Sequence, residues 1–181
     1  MRRTRRTLVA LTAVATLLGA APAASAGTPP PTAGDPGGRW EPVPTPPLDY
    51  PAGTRCDFPV HGEAIRDEVE QRVLETYPDG SPKWVAYRGP LVIRLTDTTT
   101  GAHFDADAGG SAVVESRPDG SHLWFVLGPI LAGFGPNGGN VARGLYTIDG
   151  AYTVDISAAG VKTLTMLHGS IDDLCARIDH P

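Results

Sequence analysis

The stretch His103-Phe104-Asp105-Ala106-Asp107 places an imidazole and two carboxylates at alternate positions. In an extended chain alternate side chains share a face, so His103, Asp105 and Asp107 would stand together. Such a set could hold a divalent cation or move a proton. Phe104, Ala106 and Ala108 fall on the other side, so the same run also reads as an amphipathic strand with a solvent face. Asp105-x-Asp107-x-Gly109-Gly110 hints at a calcium loop, but the third oxygen ligand and the terminal Glu are missing. No metal and no cofactor are therefore expected. His61, Glu63, His122 and His168 lie beside apolar runs, where surface or half-buried histidines are ordinary. No Gly-x-Ser-x-Gly, Ser-x-x-Lys, His-Glu-x-x-His or glycine loop ending in Lys-Ser/Thr occurs. No catalytic residue is assigned.

Two aromatic residues are the other ligand candidates. Trp124 sits in Leu123–Leu127, a run apolar on both sides, and core packing is its natural fate. Trp84 has Lys83 before it and Tyr87-Arg88 after it, which suits a half-exposed ring. The glycine-rich run Gly128–Gly144, "GPILAGFGPNGGNVARG", is long enough to be a binding loop or a plain connection.

Short β-like runs must position these residues. Trp84–Arg88, Leu91–Thr96, His103–Ala108, Ser111–Ser116, Leu123–Leu127, Leu145–Ile148, Tyr152–Ile156 and Val161–Leu167 are separated by turn signals. The spacing predicts an all-β fold, an antiparallel sandwich or small barrel of about eight short strands. Glu63–Tyr77 is ambiguous. Ile65, Val69, Val73 and Tyr77 recur four apart, as on a helix, but a strand from about Glu68 onward would pair with Trp84–Arg88. A short C-terminal helix is expected after Ser170 as its cap, with Asp172 and Asp173 in the first turn.

One phrase is written twice: "YPDGSPKWVAYRGPL" at 77–91 and "RPDGSHLWFVLGPIL" at 117–131. Pro-Asp-Gly is turn chemistry, with Gly in the left-handed conformation that lets the chain return. The flanks then become arms of two similar hairpins, with Glu75/Glu115 and Trp84/Trp124 at equivalent places.

Cys56 and Cys175 are the only cysteines and bracket nearly all of the patterned sequence. With no Cys-x-x-Cys and no group to activate a thiol, they read as one disulfide of an exported protein. Residues 56–178 then form one domain. Residues 1–26 carry an Arg-rich start, an apolar run and Ala24-Ser25-Ala26, the pattern of a secretory signal peptide; Arg5-Arg6 also fits a loose twin-arginine signal. Residues 27–55 contain nine prolines and five glycines and read as a disordered tail. Cleavage after 26 removes four arginines and no acid, taking the charge balance from −5 to −9. An acidic exported chain is a poor partner for nucleic acid or anionic lipid. No apolar run is long enough to span a bilayer.

From Cys56 on, the layout resembles a family of small secreted proteins of GC-rich Gram-positive bacteria. The resemblance is carried by Cys56-Asp57-Phe58-Pro59-Val60, Thr96-Asp97-Thr98-Thr99-Thr100-Gly101, Pro118-Asp119-Gly120 and Gly169-Ser170-Ile171-Asp172-Asp173-Leu174-Cys175. It covers about 56–178 and implies export, the disulfide and a β-rich fold, but no mechanism. The expectation is a secreted monomer, a binding or structural protein with a small apolar ligand or a cell-wall or surface partner. The alternative is an extracellular hydrolase with His and Asp groups gathered in a cleft.

Overall fold

The computed structural model describes residues 38–179. The expected signal peptide at 1–26 lies outside the described residues. Twelve strands and one short helix follow one another: β1 (Glu41–Pro42), β2 (Leu48–Tyr50), β3 (Val60–Asp67), β4 (Glu70–Thr76), β5 (Pro82–Arg88), β6 (Leu91–Asp97), β7 (His103–Asp107), β8 (Ser111–Ser116), β9 (His122–Leu127), β10 (Ile130–Phe134), β11 (Gly144–Ile156), β12 (Lys162–Asp173) and α1 (Leu174–Asp179). The larger sheet runs β1-β4-β5-β8-β9-β11-β10, with β12 also on β11; the smaller runs β2-β3-β6-β7. Neighbouring strands are antiparallel throughout. Both orders are open paths, so the all-β expectation stands without the closed barrel.

Two buried clusters hold the molecule. The first joins Val60, Ile93, Leu95 and Ala106 of the small sheet to Leu145 of β11, Cys56, and Leu174 and Ile178 of α1. The second lies on the large sheet, around Val114, Val126, Phe134, Ile148, Tyr152 and Val154. Strand alternation explains how β10 serves both: Leu131 packs on the first cluster and Ile130 on the second. The Cys56–Cys175 disulfide closes a separation of 119 residues and ties α1 to the approach to β3.

The repeated phrase forms two hairpins with the same turn. Gly80 N–H donates to the Tyr77 carbonyl at 2.9 Å and Gly120 N–H to the Arg117 carbonyl at 3.0 Å. In each, the Asp carboxylate accepts from the Ser two residues on, by N–H and by hydroxyl. These bonds, the hydroxyl first, hold the Asp79 and Asp119 carboxyls below the usual carboxylate range. Gly80 and Gly120 sit at φ 86° and 83°. A Cβ at Gly120 would meet nothing within 4 Å. Gly120→Ala should therefore cost only the left-handed conformation, about 1 kcal/mol in urea unfolding. No loss would mean a different turn.

The arms depart from strict repetition. Register shifts flank Glu75 in β4. Trp84 lies opposite Glu115, which lies opposite Leu123, while Trp124 lies opposite Val114. Directly opposed residues share a face, so Trp84 and Trp124 point to opposite sides of the sheet. Their equivalence holds by distance from the turn and not by face.

Other expectations are corrected. Glu63–Tyr77 is strand, but β3 already covers Val60–Asp67 before the chain turns into β4. Within the described part of 27–55, Glu41–Pro42 pairs with β4 and Leu48–Tyr50 with β3, so these five residues are not a free tail. Proline is tolerated there because edge strands can lack an N–H. β10 arises inside the glycine-rich run that read as a loop. Asp149-Gly150 is no turn: β11 continues through it, with Gly150 at φ 133° beside a register shift. β12 runs on to Asp173, and that carboxylate, not Ser170, caps α1 by accepting from Cys175 N–H at 2.9 Å.

Candidate functional site

The histidines and carboxylates are spread over the fold. His103, Asp105 and Asp107 do line the exposed face of β7. Asp105, however, is engaged by Arg94 through two bonds of 2.8 Å, and that guanidinium holds its carboxyl below the usual range. Asp107 accepts from Gly109 N–H at 2.9 Å. His61 bonds Asp49 at 2.8 Å and lies two strands from His103, with Thr96 between them. Two strand spacings are about 10 Å, too far for one metal or one proton. His122 faces Ser116 at 3.2 Å, and His168 is exposed on β12. Among the described residues no three His, Cys, Asp or Glu groups gather as a metal set. None of their helices is long and apolar enough to cross a membrane.

The apolar candidates do better. A cleft of about 570 Å³ opens where the two buried clusters meet. Leu48, Tyr50, Ile93 and Ala108 line it from the small sheet. Tyr87, Ala112, Val114, Trp124 and Ile130 line it from the large one. Its volume lies within the range of about 300–1,000 Å³ usual for small-molecule sites. The elements dictate these walls: β8 and β9 alternate, so Ala112, Val114 and Trp124 share the inward face. The Trp124 Nε1–H is buried with no acceptor among the described residues. An unpaired buried donor is costly, and a ligand oxygen reaching it would relieve that cost. His122 and Ser116, bonded to each other, stand on the same wall.

Trp84 lies elsewhere. It packs against Phe125 at 6.1 Å on the opposite face of the large sheet. Beside that pair runs a trough of about 470 Å³ lined by Trp40, Arg88, Val113, Phe125, Leu127 and Leu167. The Arg88 guanidinium sits 3.9 Å from the Trp40 ring centre. Leu167 and Leu127 are 76% and 66% exposed, so this trough lies open to solvent along them.

Two cations that the sequence did not single out stand behind Tyr50 and Gly133, two residues that line the cleft. Arg55 lies over the ring of Tyr50 at 5.0 Å, and Lys162 donates to the Gly133 carbonyl at 2.7 Å. Burial pushes the Lys162 ammonium below its ordinary pKa, and the nearby Arg55 charge adds to that. Lys162 is one of only two lysines in the chain, which was the available signal.

Comparison with family models, with curated proteins and with solved structures finds no match. The class is therefore defined by the molecule itself: an antiparallel two-sheet β protein, closed by one disulfide, with an apolar cleft between its buried clusters.

Proposed function

We propose that this chain is an exported, non-enzymatic binding protein that holds a small apolar molecule in the cleft between its sheets. The observation that carries the reading is the convergence of apolar side chains from both sheets on one space of about 570 Å³. Such a concave apolar site with few polar groups is the usual form of a small-molecule pocket. Export is supported by the leader pattern at 1–26 and by the disulfide, which suits an oxidising compartment. The resemblance to small secreted proteins of Gram-positive bacteria agrees with this address. A monomer suffices for the reading, since both walls come from one chain.

Titration calorimetry with 1-decanol tests it. One molecule should bind per chain. Ala112→Phe, which fills the cleft from β8, should weaken that binding at least tenfold. Overpacking costs about 1–3 kcal/mol of stability, so folding of the variant is checked alongside by circular dichroism. Unchanged binding in a folded Ala112→Phe protein, or none in the wild type, removes the cleft as the site.

A further inference from the structure

Tyr50 and Gly133 line the cleft, and two cations pack directly against them from outside that lining. Arg55 presses against Gly133 so closely that a Cβ on that residue would stand 2.9 Å from the Arg55 Nε. Lys162 reaches the same residue from its carbonyl side, with its ammonium also 5.6 Å from the Phe134 ring centre. Neither cation has a carboxylate partner among the ion pairs of the described residues. The Arg55 Nε is buried with no hydrogen-bond partner there, and its Nη1 donates only to the Thr54 carbonyl at 2.8 Å. Two neighbouring cations in a chain of net charge −5, with no carboxylate between them, are an arrangement that an anion would relieve.

We infer that the ligand is a single-chain amphiphile of the long-chain carboxylate class, with its apolar tail along Trp124 and Ile93 and its carboxylate at Arg55 and Lys162. This inference rests on the cleft being the binding site. Charge complementarity selects the head: a carboxylate offers two oxygens, which a guanidinium fork and an ammonium can share. Size selects the tail: the cleft has room for one chain, not for a two-chain lipid.

Calorimetric titration of the full chain with decanoate, 1-decanol and acetate, below micellar concentrations and at neutral pH, tests this. Decanoate should bind about tenfold tighter than 1-decanol, the worth of one charge-assisted hydrogen bond. Acetate alone should give no measurable binding. Lys162→Gln and Arg55→Gln should each remove most of the decanoate advantage while leaving 1-decanol affinity in place. Should Arg55→Gln fail to fold, the wild-type comparison and Lys162→Gln decide. Equal affinity for decanoate and 1-decanol overturns the anionic head and leaves the cleft reading intact. Binding of neither overturns both.

Discussion

Replacing Cys56 and Cys175 together by alanine is expected to lower stability by about 5 kcal/mol, the chain-entropy value for so long a loop. The bond closes a separation of 119 residues, so it restricts nearly the whole folded chain in the unfolded state. Its loss also acts on the native state. α1 has six residues, too few to persist alone, and only the Asp173 cap and its packing would then hold it. Leu174 and Ile178 of α1 are fully buried against Leu95 and Leu145, which their departure would uncover. Urea unfolding of the double variant should show the loss, and far-ultraviolet dichroism should keep its β character wherever the protein still folds. A loss near 1 kcal/mol would mean that the first cluster holds α1 without the covalent tie.

Phe134→Ala should be among the most damaging truncations in the second cluster, at about 3–5 kcal/mol. The ring is fully buried and meets Tyr146 edge-on at 6.0 Å. The glycine-rich segment lies directly on it, since a Cβ at Gly139 would come within 3.2 Å of the ring. The Lys162 ammonium stands 5.6 Å from its centre. Removal leaves a cavity between β10, β12 and that segment, and backbone pairing between the two elements hinders its collapse. Urea midpoints at unchanged slope would measure the loss. A cost below about 1 kcal/mol would show that β10 is not held by its last side chain.

These two sites also mark how far the sequence could be read. The disulfide was legible because a sequence with only two cysteines, and no motif for thiol chemistry, offers a single pairing. β7 and β8 were legible because period two survives in their residues, and β9 because its short apolar run is bounded by Pro-Asp-Gly and Gly-Pro. The Pro-Asp-Gly turns were legible because Gly and Asp there have specific conformational and hydrogen-bonding duties. β10 was hidden for the opposite reason. Ile130–Phe134 feeds two clusters from its two faces, so no alternation appears, and Gly-Pro pairs on both sides imitate a loop. Asp149-Gly150 imitated a hairpin turn, yet the glycine serves a close approach: a Cβ at 150 would sit 2.0 Å from the His168 carbonyl oxygen. The Pro-rich residues 41–50 concealed two edge strands. Of the cleft, Trp124 could be read as an inward aromatic, but its opposite wall could not. Tyr50 and Ile93 come from distant segments and meet it only through the packing of two sheets. Arg55 and Lys162 carry no motif at all, and only the fold brings both to Gly133.

An apolar molecule should enter between the sheets at Trp124 and not lie in the outer trough beside Trp84. Contact quenching by 10-bromo-1-decanol, whose bromine quenches an indole only on touching it, separates these places. The single-tryptophan proteins Trp40→Phe/Trp84→Phe and Trp40→Phe/Trp124→Phe would be titrated side by side. Saturable loss of Trp124 emission at one equivalent, with Trp84 emission unchanged, is the result the cleft predicts. Quenching of Trp84 with Trp124 untouched would place the ligand on the outer face and contradict it.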